Sequence, residues 1–437
     1  MSLMSKNTHN PALPLWGRVL IGAALGVGAM LGVGWYFADR LVHVRPVRRK
    51  AYPTRVLALE EGHGHTHVTL TSTPSTRRPG SLILEWQTPG GTRYAQLGPL
   101  LRGNSAGTVR ELRETDAPLR LGQRVRASTI GRGTPAQRGM PHLELSIPGD
   151  HGPMPAWLVP PVTPAHPVRA GAAQGGTPTL AQAAGTDWVI VTHGYGGLRQ
   201  DALRILPTLV GPQTGGLSGG LGLTALVITY RNAEGAPPTP ERKHRLSAEE
   251  WQDLEAAVQF AVEHGARRIL LFGFSLGAGI SLAFLRYSRL ADRVTALLLD
   301  SPPLEWRALI THHALRYRVP IPFVLSRVVA WLTVVKSKQD FDAVDHLSVR
   351  DTFRTPMLVV HGSIDKTVPV AQVESFVHAR PDIVEYHRFE GAQHERAWNQ
   401  DPARYEAAVK TFVQRVLDTP QATHTTGPQR PEENHHA

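Results

Sequence analysis

Five short runs that are apolar on both faces constrain this chain more than any other feature. They lie at 188–192, 224–229, 268–272, 294–299 and 356–360. A strand with one wet face alternates apolar and polar residues, whereas a continuous run suits a parallel strand covered on both sides. Helical periodicity fills the gaps. The clearest case follows Ser247-Ala-Glu-Glu250, which reads as a capping box opening a helix. Leu254, Ala257, Val258, Ala261 and Val262 then recur at three- and four-residue spacing. Strand–helix alternation of this kind predicts an α/β fold, a mostly parallel, doubly wound sheet with right-handed crossovers.

The chain has 437 residues, enough for two or three units at roughly 150 residues each. Residues 19–38, VLIGAALGVGAMLGVGWYFA, carry no charge over twenty positions. A helix needs about 20 apolar residues to cross the hydrocarbon core. Trp16 precedes the segment, and Trp35 and Tyr36 close it as interfacial anchors would. The residues after it, Trp-Tyr-Phe-Ala-Asp-Arg, do not read as a small-residue cleavage site. An uncleaved single-pass anchor is therefore expected over a signal peptide. Gly22/Gly26 and Gly28/Gly32 have helix-pairing spacing, but a Gly/Ala-rich segment contains such spacings by chance.

The net charge of +11 is local. Residues 1–50 hold seven bases and one acid, and residues 161–437 net only +1. The cluster Arg45-Pro-Val-Arg48-Arg49-Lys50 beside the apolar span suits anionic lipid head groups, and no basic face for nucleic acid stands out. Taken literally, that cluster puts the C-terminal part in the cytoplasm. The absence of cysteine and the short N-terminal tail (1–18) lean the other way, so orientation stays open. Zero cysteines also exclude disulfides, Cys–zinc sites and a thiol nucleophile.

Residues 51–140 alternate short apolar runs with Gly, Pro and Thr, with strands expected at 68–70, 81–86 and 124–130, so a small β-rich domain is expected there. His63, His65 and His67 would share one face of a strand and invite a metal, yet Gly64 argues for a solvated loop. A second domain begins near 141 and runs to 418, interrupted by a Pro-, Ala- and Gly-rich loop at 160–187. Residues 419–437 read as a disordered tail.

Gly273-Phe-Ser275-Leu-Gly277 follows one apolar run and precedes a helical pattern. This is G-x-S-x-G in strand–turn–helix context, where small neighbours let a strained serine project its hydroxyl. A serine needs a base, and the base needs an orienting carboxylate, in the chain order Ser, acid, His. Asp365 falls just past the run 356–360, and His394 follows the strand pattern 385–389. Asp300, after the run 294–299, is the rival acid, and His361 reads as structural. Two backbone donors must hold the developing oxyanion. The amide of Leu276 is one, and that of Tyr195, in His193-Gly-Tyr-Gly-Gly197, is the other.

These four motifs, HGYGG (193–197), GFSLG (273–277), HGSIDKTVP (361–369) and GAQHE (391–395), resemble those of the α/β-hydrolase superfamily over roughly residues 141–418. Within it the chain is similar to membrane-anchored serine hydrolases of the ABHD type, and more distantly to prolyl-oligopeptidase catalytic domains. The resemblance implies a serine hydrolase acting on a carboxylic ester or thioester, on small acyl or lipid substrates, with no metal or organic cofactor. A prolyl-oligopeptidase-like peptidase or amidase is the alternative. Residues 51–140 are too short for that family's seven-bladed propeller. A non-catalytic membrane scaffold is the remaining reading. Arg231 fits an arginine those groups often carry, although a structural ion pair is the favoured reading. The long apolar segment 301–345 is expected to form a cap over an acyl pocket or a surface dipping into lipid, against an ordinary packed crossover.

Overall fold

The computed structural model describes residues 15–44, 51–62, 64–129, 133–162, 185–212 and 219–419. The basic cluster 45–50, His63, most of the 160–187 loop and the tail from 420 lie outside the described residues.

The N-terminal helix α1 (Leu15–Val42) is longer than the apolar run that seeds it. From Arg18 to Val42 it is long and apolar enough to cross a membrane. Its first half is exposed, while Ala38 and Val42 are fully buried against the rest of the protein.

Six antiparallel strands then close a small barrel: β1 (Thr54–Gly62), β2 (His65–Leu70), β3 (Leu82–Thr88), β4 (Gly91–Gly103), β5 (Thr108–Thr115) and β6 (Arg124–Ser128), in the order β1-β2-β5-β4-β3-β6. Val56, Val68, Leu70, Leu84, Trp86, Leu97 and Val125 fill it. Closure removes the unpaired strand edges that an open sheet of this size would expose. The expected loop at the histidine cluster is a β-hairpin instead. His65 and His67 sit on β2, paired to Gly62 and Glu60, and His65 Nδ1 lies 2.8 Å from Glu111. The turn glycine, Gly64 (φ +81°), sits between the two strands and tightens the hairpin, so it does not end the regular structure.

The second sheet has eight strands. They are β7 (Leu143–Ile147), β8 (Met154–Val159), β9 (Asp187–Thr192), β10 (Thr224–Ile228), β11 (Arg268–Phe274), β12 (Val294–Asp300), β13 (Met357–Gly362) and β14 (Val384–Phe389). Their order is β14-β13-β12-β11-β9-β10-β8-β7. The six from β14 to β10 are parallel, and β8 and β7 add antiparallel at one edge. The five runs that opened the argument are β9 to β13. Side chains from alternate positions feed two separate cores, one on each sheet face.

The helices that cover the sheet are α2 (Leu206–Val210), α3 (Trp251–Glu263), α4 (Leu276–Tyr287), α5 (Trp306–Arg316), α6 (Pro322–Ser337), α7 (Val370–Ala379), α8 (Ala397–Gln400) and α9 (Pro402–Asp418). One start differs from expectation. Helix α3 opens at Trp251, and Ser247 stands outside it at φ +87°. Only the carboxylate half of the capping box forms. Glu250 reaches back and accepts the amides of Ser247 (2.9 Å) and Arg245 (2.8 Å). Arg231 makes a buried bidentate pair with Asp253 at 2.9 Å, which pins the turn after β10 to α3.

The barrel meets the sheet domain at Asn399. Asn399 in α8 donates to the carbonyls of Ser81 and Thr129, and its own carbonyl accepts the Ser81 amide at 2.7 Å. Segment 301–345 forms a two-helix hairpin, α5–α6, beside the carboxyl edge of the sheet.

Candidate active site

The serine turn is dictated by its glycines. Strand β11 ends at Phe274 and α4 starts at Leu276, so the chain must reverse within one residue. Ser275 takes φ 47°, ψ −114° to do this, a conformation that costs a non-glycine residue roughly 1–3 kcal/mol. A side chain on Gly273 would overlap the backbone of Gly277 and Ala278, and one on Gly277 would overlap Thr192 and His193. The strained turn is held from below by Ser275 N–H donating to the Asp300 carbonyl at 2.8 Å.

The hydroxyl meets a chain of partners. His394 Nε2 lies 2.8 Å from Ser275 Oγ, and His394 Nδ1 lies 2.7 Å from Asp365 Oδ2. The three residues come from the ends of β11, β13 and β14, within 119 positions of sequence. Ligand sites in open α/β sheets form at this edge. The remaining oxygen of Asp365 accepts the amides of Thr367 (2.7 Å) and Val368 (3.0 Å). Burial alone raises the Asp365 pKa. The His394 hydrogen bond and charge, with these amides, outweigh it and hold the carboxyl below its usual range. Burial also works against the charged form of His394, but bonding to Asp365 prevails and lifts the imidazole above its ordinary value.

The rival acid is occupied elsewhere. Asp300 is fully buried, and its carboxylate accepts Tyr405 Oη (2.9 Å) and Ser301 Oγ (2.8 Å). His361 donates through Nε2 to the Val368 carbonyl at 3.1 Å, and burial pushes its pKa down. It packs behind the Asp365 loop as a neutral ring. His193 is also buried, stacked on Tyr230 at 4.5 Å, with Nδ1 donating to its neighbour's carbonyl at 2.9 Å.

The loop after β9 borders the serine. Gly197 N–H closes a turn on the Gly194 carbonyl (3.0 Å), which also accepts Tyr230 Oη (2.9 Å). A Cβ on Gly194 would come within 3.1 Å of Ser275 Cβ, so only glycine lets the loop lie this close. Tyr195 follows, half exposed, its ring 4.8 Å from His244. Leu276 is the first residue of α4, and its amide has no acceptor inside the helix. Leu276 follows Ser275 directly, and Gly194, the residue before Tyr195, lies against it.

Sequence reasoning missed Glu395 and Arg204. Glu395, at φ +52°, places a carboxylate oxygen 3.9 Å from His394 Nε2. Its amide donates its hydrogen to Ser301 Oγ, and its carbonyl accepts Arg204 Nη1 at 2.9 Å. Burial pushes the Glu395 pKa up. Arg204 stacks on Phe274, its guanidinium 4.3 Å from the ring centre. The GAQHE motif contained Glu395, but Arg204 lies 191 residues away and no local pattern marks it. Among the described residues, no group of three or more His, Asp or Glu converges as a metal cluster.

Residues 241–419 match the model of the prolyl oligopeptidase family, and residues 55–128, the barrel, match the model described as Domain of unknown function (DUF8805). No curated protein matches. Among solved structures, an esterase of Pyrococcus furiosus aligns at 18% identity over 65% of this chain and 95% of its own, with a TM-score of 0.47. A thermophilic esterase of Thermogutta terrifontis aligns at 14% identity over 63% and 98%, TM-score 0.41. A puromycin-hydrolyzing peptidase of Mycobacterium tuberculosis aligns at 19% identity over 86% of this chain and 55% of its own, TM-score 0.49. The sheet and its serine turn form an α/β-hydrolase fold, and the match over 241–419, which contains Ser275, Asp365 and His394, supports a serine hydrolase.

Proposed function

We propose that the protein hydrolyses carboxylic esters or thioesters through an acyl-enzyme on Ser275. The observation that carries this reading is the unbroken relay from Ser275 Oγ through His394 to Asp365, at 2.8 and 2.7 Å. Ser275 Oγ attacks the acyl carbonyl while its proton passes to His394 Nε2. Asp365 holds the ring by Nδ1 and stabilises the imidazolium. The tetrahedral oxygen takes its negative charge against the amides of Leu276 and Tyr195, each donor contributing about 3 kcal/mol to the barrier. His394 then returns the proton to the leaving alkoxide or thiolate as the bond to the carbonyl breaks. A water, deprotonated by the same ring, attacks the acyl-enzyme and regenerates Ser275.

Ester rather than amide chemistry is favoured by what surrounds the sheet. The 54–128 region is a single six-stranded barrel, and the hairpin α5–α6 is rich in apolar residues, as a cap over an acyl pocket would be. The match over 241–419 favours the second reading, a peptidase or amidase of prolyl-oligopeptidase type. Parallel assays on p-nitrophenyl esters and on prolyl and other peptide amides decide between them. Ester turnover with no amide cleavage is expected, and preferential amide cleavage contradicts the ester reading. Ser275→Ala should abolish fluorophosphonate labelling in both cases.

We further propose that α1 stays on the mature protein as a single-pass anchor over residues 19–38. Its second half is fitted to the body. A side chain on Gly34 would meet Val328 at 2.8 Å and Leu332 at 3.0 Å. Asp39 pairs with Lys336 at 2.7 Å, and the Val42 carbonyl accepts the His244 amide at 2.7 Å. Cleavage after such a segment would strip the apolar surface of α6. The intact mass of protein extracted from membranes tests this, with the full N-terminus expected and a start beyond residue 38 contradicting it.

A further inference from the structure

Helix α6 carries apolar side chains on its exposed faces as well as its buried one, with Arg327 as an exposed charge. Leu325, Val329 and Leu332 face the core, yet Phe323, Val324, Trp331, Val334 and Val335 on other faces are 42–58% exposed. A helix apolar on every side belongs in a large core or in lipid. The turn before it adds Tyr317 and Ile321, exposed at 63% and 54%.

What stands beside this surface identifies what covers it. Helices α1 and α6 pack with their chains running in the same direction. Gly34 sits at the level of Val328 and Leu332, and five residues further along Asp39 meets Lys336. The Lys336 ammonium also caps the Trp35 ring at 3.8 Å. Nine residues back from Gly34 and Leu332 lie Leu25 and Phe323, about 14 Å back along each helix at 1.5 Å per residue. Leu25 lies in the middle of the uncharged span 19–38 and is 69% exposed. The exposed apolar face of α6 is thus continuous with the exposed apolar face of α1.

We propose that the outer face of the α5–α6 hairpin is a second membrane-contact surface, lying in the leaflet that α1 crosses; this rests on the reading of α1 as an anchor. Phe323, Val324, Trp331 and Val335 enter the acyl region. A cleft of about 350 Å³ between α5 and α6, lined by Thr311, Arg327, Trp331 and Phe341, opens on this face. The entry to the hairpin flanks the site, since Gln372, in the helix after the Asp365 loop, accepts the Leu304 amide at 3.1 Å and donates to the Glu305 carbonyl at 2.8 Å. The surface therefore brings the carboxyl edge of the sheet down to the bilayer.

The absence of native cysteine makes the test direct. Full-length Leu25→Cys, Phe323→Cys, Trp331→Cys and Leu121→Cys proteins are labelled with a polarity-sensitive fluorophore. They are then reconstituted in phosphatidylcholine vesicles containing phosphatidylglycerol, with fluorophosphonate labelling checking the fold of each. Leu121 is 73% exposed on the barrel and serves as the aqueous reference. Doxyl-labelled lipids should quench the probes at 25, 323 and 331 at least threefold more than the probe at 121. Quenching at 25 with probes at 323 and 331 as open to aqueous iodide as the probe at 121 overturns the hairpin proposal and leaves the anchor standing. Shielding of 323 and 331 from both quenchers assigns the face to a second copy and overturns it as well. No lipid quenching at 25 overturns the anchor reading and, with it, the proposal.

Discussion

A buried arginine in the barrel, Arg110, and one under the serine turn, Arg204, are treated differently. Arg110 lies fully buried in the barrel, and its guanidinium donates to the carbonyls of Thr76, Arg78, Gly80 and Gly98. No carboxylate contributes, and burial lowers its pKa to about 10. Arg204, beneath the serine turn, makes one hydrogen bond, to the Glu395 carbonyl, while its Nε and Nη2 atoms have no hydrogen-bond partner among the described residues. Although burial opposes its charge, nearby Asp300 and Glu395 raise its pKa. The barrel gives every donor of Arg110 an acceptor, although Thr54 Oγ1, Trp86 Nε1 and Arg126 Nε are buried there without a hydrogen-bond partner among the described residues. The hydrolase domain leaves donors unmet and strains Ser275 and Glu395 into positive φ where chemistry is proposed.

Substitutions can break that contrast or sharpen it. The largest effect is expected at the relay. Asp365→Asn keeps the shape but lets the wrong imidazole nitrogen carry the proton, so kcat should fall about 10⁴-fold. A fall of less than tenfold would make Asp300 the functional acid. The same carboxylate lifts the His394 pKa, and the base works only when neutral. Wild-type kcat/KM should therefore rise with pH through a midpoint above the ordinary imidazole value. In Asp365→Asn, with the negative charge gone, the residual activity should show a lower midpoint, and an unmoved midpoint would assign the titration to another group.

Arg110→Met removes the donors from four carbonyls and should destabilise the barrel by about 3 kcal/mol in denaturant unfolding, with kcat per folded molecule unchanged. A changed kcat would tie the barrel to the chemistry through Asn399. The smallest effects belong to the loop around Glu395. Arg204→Met should lower kcat about tenfold by loosening the segment that carries His394, with KM little changed. Glu395→Gln preserves the shape and should stay within a few-fold of wild type. If Arg204→Met instead costs as much stability as Arg110→Met and leaves kcat intact, the two arginines do the same job and the contrast fails.

The regions that were legible in the sequence are those whose physics is local. Both-face burial marked β9 to β13, and glycines whose side chains would overlap backbone marked the serine turn. What escaped depends on distant pairing. Barrel closure joins β1 to β6 across some seventy residues through Thr54–Val125, and no short window contains both. Ser247 carried a capping signature, but at φ +87° its buried hydroxyl caps nothing, only Glu250 reaches back, and the helix starts at Trp251. The histidines at 65 and 67 read as loop because Gly64 was weighed against a strand, and it serves a hairpin turn. Arg204 and Glu395 meet only because β9 and β14 deliver their loops to one edge.

The central claim is that Ser275 carries the acyl group. Rapid quenching of a p-nitrophenyl ester reaction, followed by mass analysis of the proteolysed chain, reads this directly. A burst of about one p-nitrophenol per enzyme is expected, with the acyl mass on the peptide containing Ser275. A burst with the adduct elsewhere, or turnover with no adduct at any time, contradicts it.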